Sequence, residues 1–427
     1  MSSQGVNSWR EAIMVYKHPR VIAIFFLGFA AGLPLLLVFS TLSAWLRDME
    51  IARSTIGFFG WVGITYSVKV FWAPIVDRIS LPLLTKNLGQ RRSWMLLAQL
   101  MIALGLFIMS LINPSEQLVL LALVAVGVAF FSATQDIALD AYRIEAAVPE
   151  YQGAMSASYI FGYRVALLVA GAGAFFIAED WSWSLAYLCM SLCMIVGVVT
   201  VLMIDEPQQI SRDIHYSSGS YWQRSMQWFK QAVIAPFVDF FQRNGRFAIT
   251  VLCLIAIYRL SDITMGIMAN PFYLDLGFSK GDIATIGKVY GFAMTLVGAF
   301  IGGLMVVRYG LFRPLIAGAV LVAFTNILFA KLALIGADIS WLTIVISADN
   351  VSGGFANSAF IAYLSSLTNR AYTTTQYALF SSLMTLPGKF ISGFSGIVVD
   401  ASSYFHFFIY AALLGIPAVL LSIVAYR

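Results

Sequence analysis

Charge is scarce in this sequence. Asp, Glu, Lys and Arg make up 11% of its 427 residues, and 60% are apolar; a soluble domain carries roughly a quarter charged residues. A water-soluble fold is thereby excluded, and the chain reads as an integral membrane protein. Histidine is almost missing. His18, His215 and His406 fall in loops or at the ends of apolar runs, so no His pair or Cys/His cluster is placed to bind a metal. The three cysteines, Cys189, Cys193 and Cys253, lie inside apolar segments, where they read as small packing residues and not as a disulfide framework. No nucleophile clusters with a base, which argues against an enzyme. The stretch from Gly281 to Lys288 comes nearest to a phosphate-binding loop, but it has one residue too many between its glycines and no following Ser or Thr. Direct ATP drive is therefore not expected, nor is any cofactor. A cleavable signal is not expected either, because the first apolar run, about 21–46, is far longer than a signal core.

What the chain does have is hydrophobic length. Twelve runs of about 20 residues or more can each cross a bilayer: 21–46, 55–79, 93–112, 117–142, 152–178, 183–204, 246–274, 281–307, 312–335, 341–367, 373–399 and 404–426. The predicted fold class is all-α, with twelve transmembrane helices in two bundles of six. The loop 205–245 divides them, giving an N-terminal bundle 1–204, a cytoplasmic linker 205–245 and a C-terminal bundle 246–427. Within the linker, 221–244 intersperses Trp222, Trp228, Phe229 and Phe240 with Arg224, Lys230 and Arg243. That pattern predicts an amphipathic interfacial helix, interrupted near Pro236.

The net charge of +5 does not indicate nucleic acid, since the basic residues sit in short loops between apolar runs and not on one basic face. They orient the chain instead. Seventeen Lys and Arg fall on one side, and only Arg47, Arg53 and Lys280 on the other, which places both termini in the cytoplasm. The halves also repeat. After span 2, Asp77-Arg78 leads to Gly89-Gln90-Arg91-Arg92; after span 8, Val307-Arg308-Tyr309-Gly310 leads to Arg313. A chain of six plus six spans with this loop resembles the major facilitator superfamily. Asp77 near a helix end can cap or pair with a neighbouring helix while Arg78, Arg91, Arg92 and Arg308 hold the cytoplasmic face. Val307 replaces the second acid, so the latch is expected to be asymmetric.

Polar residues interrupt the apolar runs in a pattern. Ser132-Ala133-Thr134-Gln135-Asp136 closes a long apolar run, and Asp136, Asp140 and Arg143 are spaced by four and three, one stripe of a helix. An uncompensated charge in lipid costs at least a few kcal/mol, so the stripe must face protein or water. Asp136 and Gln135 lie deep enough to meet cargo; Asp140 and Arg143 belong to a cytoplasmic gate. Lys69, Arg164, Arg259, Lys288, Lys331 and Lys389 also lie inside spans, Lys331 near an end from which it can snorkel. Counting residues from the turn at 149–151 puts Asp136 and Arg164 at equal depth, so they are expected to face each other or a shared polar cavity. Arg259 and Asp262 can pair along one face, and Asp349 and Lys389 come out at similar depth. Gly162-Tyr163-Arg164 and Gly388-Lys389 read as repeat-related. Lys69, Gln135, Arg164, Arg259, Lys288, Asn350, Asn357 and Lys389 are the candidate lining of an aqueous cavity whose cationic excess suits a substrate with carboxylates or phosphates. Without membrane histidines, a driving proton would ride on Asp136, Asp262 or Asp349. Pro34, Pro271 and Pro387 are expected to bend their helices, and Gly28 to Gly32 and Gly298 to Gly303 to pack helices closely.

Nearly the whole chain resembles the AmpG family of bacterial muropeptide permeases. The resemblance rests on Leu27-Gly-Phe-Ala-Ala-Gly-Leu-Pro34, Ile56-Gly-Phe-Phe59, Ser132-Ala-Thr-Gln-Asp136, Gly162-Tyr-Arg164, Gln231-Ala-Val-Ile-Ala-Pro236, Phe240-Phe-Gln-Arg-Asn244, Asn350-Val-Ser-Gly-Gly354, Ser358-Ala-Phe360 and Gln376-Tyr-Ala-Leu379, in that order. It implies proton-driven import of anhydromuropeptides across the bacterial inner membrane by a monomer, the carboxylates of an anionic sugar-peptide meeting the cationic cavity and its sugars meeting Trp and Tyr faces. The chain stops after span 12, whereas familiar members extend into two further helices. Single-component siderophore permeases share the scaffold, so a siderophore or other anionic solute is the alternative cargo.

Overall fold

In a computed structural model, residues 17–146, 152–207, 235–245, 247–367 and 373–426 are described, and they form helices joined by short turns. Among them, ten stretches are long and apolar enough to cross a membrane. The other two expected crossings differ for physical reasons. Ile339–Leu367 is one helix of 29 residues, long enough to span, but Asp349, Asn350 and Asn357 dilute its apolar character. The crossing expected over 55–79 is broken: Arg53–Phe59 gives way to a 3-10 turn at Gly60–Gly63, then Ile64–Ser67, a second 3-10 turn at Lys69–Phe71, and Ala73–Arg78. In the linker, a helix runs over Ala235–Asn244, so Pro236 stands in its first turn, where its missing N–H costs nothing; 221–234 lies outside the described residues.

The helices gather into two compact units. The first comprises Met1–Ile51, Val68–Ile210 and Ser279–Ala284; the second comprises Ala52–Ser67, Ser211–Phe278 and Thr285–Arg427. The chain changes unit beside non-α geometry both within the broken segment, next to Lys69–Phe71, and within the π-helix Ile283–Tyr290. Such departures from the α pattern often coincide with functional bends. Each unit has its own apolar core. Ile24, Leu27, Met95, Leu139 and Val201 centre the first, and Leu254, Tyr258, Leu315 and Phe360 the second.

Glycine sets the closest helix approaches. In the first unit, Pro19–Leu37 lies against Gln152–Leu168: a methyl group on Gly32 would sit 2.6 Å from the Tyr163 carbonyl, and one on Gly162 would run into the Phe25 carbonyl. In the second unit, Gly302 comes equally close, 2.7 Å to the Phe355 carbonyl, with Gly298 and Gly354 crowding Val351 and Thr295 where Gly291–Tyr309 meets Ile339–Leu367. Both small-residue motifs therefore pack backbone on backbone. A methyl group on Gly388 would sit 2.9 Å from the Ile263 Cβ. Gly162 thus seats span 5 on span 1, and Gly388 seats span 11 on span 7.

Pro34, Pro271 and Pro387 all stand inside helices. Three residues after Pro34, the helix stops at Leu37 and restarts at Ser40. In the π-helix Val169–Gly173, the displaced backbone is met by a side chain, Thr41 Oγ1 donating to the Ala170 carbonyl at 3.0 Å.

At the basic end of the first unit, Gly89 (φ +87°) turns the chain into Gln90–Leu111. The Glu206 carboxylate accepts from the Arg91 and Arg92 backbone N–H groups at 2.8 and 3.1 Å, neutralising a helix start that nothing in the local sequence caps. Glu206→Ala should lower unfolding stability by about 1–2 kcal/mol, read as a lower midpoint in detergent with uptake retained.

Candidate functional site

A polar cluster of the first unit is built by Leu118–Ala146 and the broken segment. Lys69, lifted out of α geometry by its 3-10 turn, brings its ammonium 3.6 Å from Asp136 Oδ2. Both side chains are partly buried, at 33% and 19% exposure, so the pair is neither lost in the core nor screened as a surface pair would be. Beside it, Thr134 Oγ1 accepts from Trp72 Nε1 at 3.1 Å. Gln135 is wholly buried, and among the described residues neither its amide nitrogen nor its oxygen has a partner; nor does Asp136 Oδ1. Buried polar groups are ordinarily satisfied, which sets these three atoms apart.

Arg164 is half-buried and makes no hydrogen bond or ion pair among the described residues. Asp136 thus takes Lys69 as its partner, not Arg164. Equal depth sets two residues at one level without choosing their partner, and Lys69 reaches Asp136 from its 3-10 turn. Asp140 and Arg143 pair at 3.5 Å, and the Arg143 guanidinium lies 5.6 Å over the Tyr159 ring.

The expected gate is drawn differently in detail. The side chains of Asp77 and Arg78, the centre of the predicted latch, lie outside the described residues, as does that of Val307. Arg91 grips Glu145 in a two-pronged ion pair, Nη2 to Oε1 at 2.8 Å and Nε to Oε2 at 3.1 Å. Arg92 donates to the carbonyls of Val201 and Leu202. Arg308 is exposed and has no ion pair among the described residues. Glu145 and Glu206 were not found from sequence because their partners lie 54 or more positions away.

The second unit holds several polar groups among its described residues. Arg259 and Asp262 form the ion pair expected from their spacing. Asp349 accepts from Thr325 Oγ1 at 3.3 Å and is an electrostatic neighbour of Asp262. Lys288, in the π-helix, donates to Asn270 Oδ1 at 3.0 Å. Lys389 donates to Ser67 Oγ at 3.1 Å and lies 5.7 Å over the Tyr66 ring, and Ser67 also meets Thr385 Oγ1 at 2.8 Å. Asn350 accepts from Thr295 Oγ1 at 2.9 Å, while Asn357 is half-buried and makes no hydrogen bond among the described residues. Lys331 leaves the interior as its position suggested, its ammonium 4.3 Å over the Trp341 ring.

Sequence reasoning counted Arg53 only as a loop cation. In the structure it is the hub of the second unit's basic-poor end. Its Nε donates to Asp275 Oδ2 at 2.7 Å and to Tyr404 OH at 3.2 Å, Nη1 reaches Asp400 at 3.4 Å, and the Ser54 N–H donates to Asp400 at 2.9 Å. This network fastens Ala52–Ser67 to Ser395–Ala401. Only the scarcity of other cations on that side hinted at it. Arg53→Gln would remove the guanidinium from Asp275 and Asp400, leaving them the Tyr404 hydroxyl and the Ser54 N–H, and should lower the unfolding midpoint by the equivalent of about 2–3 kcal/mol, with Asp275→Asn restoring part of the loss.

The comparisons agree with this architecture. The profile of the Major Facilitator Superfamily matches residues 21–392. A protein designated AmpG 4 in Rickettsia conorii is 35% identical over 406 residues, covering 95% of this chain and 96% of its own length. The anhydromuropeptide permease of Escherichia coli K12 is 32% identical over 416 residues, 97% of this chain and 81% of that protein. This chain belongs to the AmpG family of the major facilitator superfamily. Its family is one of transporters, so the protein is a transporter and not an enzyme, a multi-pass protein of the inner membrane. Among solved structures, a bacterial homologue of the lysosomal transporter Spinster superposes with a TM-score of 0.70 at 13% identity, covering 99% of this chain and 98% of its own. The nucleoside transporter NupG superposes with 0.68 at 14% identity, over 96% and 98%. At such identities the likeness is one of fold.

Proposed function

We propose that this protein imports anhydromuropeptides, GlcNAc-anhydroMurNAc with or without its peptide, by alternating access, with both termini in the cytoplasm and a proton moving inward with the cargo. The observation that carries this reading is the match to the Escherichia coli permease over 97% of the chain. It is supported by the cluster of Lys69, Gln135 and Asp136, where an ionisable carboxylate adjoins an ammonium and an unpartnered amide. Lys69, Lys288 and Lys389, with Arg164 and Arg259, supply cations to the carboxylates of such a cargo. Asp136, Asp262 and Asp349 are the carboxylates able to carry the proton.

Labelled GlcNAc-anhydroMurNAc-tripeptide should accumulate in right-side-out vesicles above its external concentration only while the outside is the more acidic. Absence of gradient-dependent uptake would defeat the reading, and uptake of a labelled siderophore in its place would assign the cargo to the alternative class.

A further inference from the structure

A cavity of about 430 Å³ opens in the first unit, apart from the Lys69–Asp136 cluster. Its walls are the end of Pro19–Asp48, the turns after Gln90–Leu111 and Ala174–Asp180, and the start of Ser279–Ala284. That volume falls within the usual range of ligand sites, roughly 300–1,000 Å³. The cavity lies at the basic-poor end of the unit, which the distribution of Lys and Arg puts outside.

Its lining joins three indoles to a few fixed polar groups. Trp45 and Trp183 are buried, held against Tyr187 and Phe175 with ring centroids 4.7 and 5.3 Å apart. Asp48 Oδ2 accepts from Trp183 Nε1 at 2.8 Å and pairs with the Lys280 ammonium at 3.1 Å. Lys280 is fixed further, its backbone N–H donating to Glu179 at 2.9 Å. Asn113 adds an amide. Trp181 is different: it is 77% exposed, and no other ring packs against it among the described residues.

The geometry points to an outward-facing binding site for a saccharide, which stacks on Trp181 and presents its polar rim to Asp48, Asn113 and Lys280. A sugar ring has apolar C–H faces and a girdle of hydroxyls, which suits an open indole face beside a rigid donor and acceptor set. Charge narrows the class. Within the lining Asp48 and Lys280 cancel, while Glu179 stands outside it on the Lys280 backbone N–H; the site suits a saccharide that is neutral or sets a single carboxylate against the ammonium, and it disfavours a nucleotide, whose phosphates would meet one ammonium beside carboxylates. An acyl chain would gain nothing from the Asp48–Lys280 pair. The inference deepens the import reading by adding a first point of capture for its sugar moiety.

Two probes test it on the full chain in de-energised right-side-out vesicles: N,N′-diacetylchitobiose and GlcNAc-anhydroMurNAc. Both should bind. Trp181→Ala should weaken binding of each about tenfold, the weight of one aromatic contact, and Trp181→Phe should restore most of it. Lys280→Gln should weaken only the carboxylate-bearing probe. In energised vesicles, Trp181→Ala should raise the half-saturating cargo concentration and leave the maximal rate. Because Trp181 is exposed, its replacement does not threaten folding. Binding of both probes unchanged by Trp181→Ala would make this residue an interfacial anchor and overturn the site. Chitobiose binding lost in Trp181→Ala, with no muropeptide accumulation in the parent protein, would uphold the site and refute the import reading.

Discussion

With Asp136 as the carrier of the proposed proton symport, Asp136→Asn should abolish concentrative uptake. A proton moving with each solute supplies 1.36 kcal/mol, a factor of ten in accumulation, for every unit of pH difference, and a carboxamide cannot carry it. Accumulation should therefore fall about tenfold per imposed pH unit, to the passive level, while equilibrium binding of cargo and exchange without a gradient persist. The same substitution leaves Lys69 without the carboxylate 3.6 Å away. An uncompensated cation in a span costs about 2.5–3.5 kcal/mol on insertion scales, and less here because Lys69 is one-third exposed. Lys69→Gln on top of Asp136→Asn removes that cost, so the double variant separates the two effects: stability should return and accumulation should not. Accumulation intact in the double variant would exclude Asp136 as carrier and pass the role to Asp349 or Asp262, for which Asp349→Asn is the next measurement.

The second large effect is steric. Gly162 faces the Phe25 carbonyl with no room for a methyl group, and Gly28 and Gly32 face the Tyr159 and Tyr163 carbonyls across the same contact. Gly162→Leu forces Gln152–Leu168 away from Pro19–Leu37 along the length of the first unit. Overpacking of a well-filled core costs about 1–3 kcal/mol and occasionally more. Here the obstacle is backbone and cannot be relieved by rotating a side chain, so the upper end applies. Poor recovery of folded protein in detergent and a clearly lowered unfolding midpoint are expected. Gly127→Leu, at a glycine with nothing within 4 Å of its added Cβ, is the control and should fold normally. Equal behaviour of the two would refute glycine-mediated packing.

Much of the fold was legible because its causes are local. Apolar runs of bilayer length, glycines spaced by four and prolines within helices act through the residues beside them. Likewise the pairs Arg259–Asp262 and Asp140–Arg143 follow from helix periodicity alone, and both form. The broken segment Arg53–Arg78 was not legible. Its composition is as apolar as that of a regular span, and only packing within the two units decides where the α pattern fails.

The candidate site divides along the same line. Composition and spacing indicated that charges lie inside spans and which carboxylates are few enough to matter, and the resemblance of its motifs to a known family indicated a transporter. Which cation meets which anion was decided only in three dimensions: Lys69 with Asp136, Arg91 with Glu145, Arg53 with Asp275 and Asp400, Lys280 with Asp48. The physical reason is that an ion pair depends on a few ångströms of separation, while the chain between these partners runs from 54 to 347 positions and passes through 3-10 and π turns that shift both depth and facing. A sequence sets the supply of charges in a membrane; the helix packing chooses their partners.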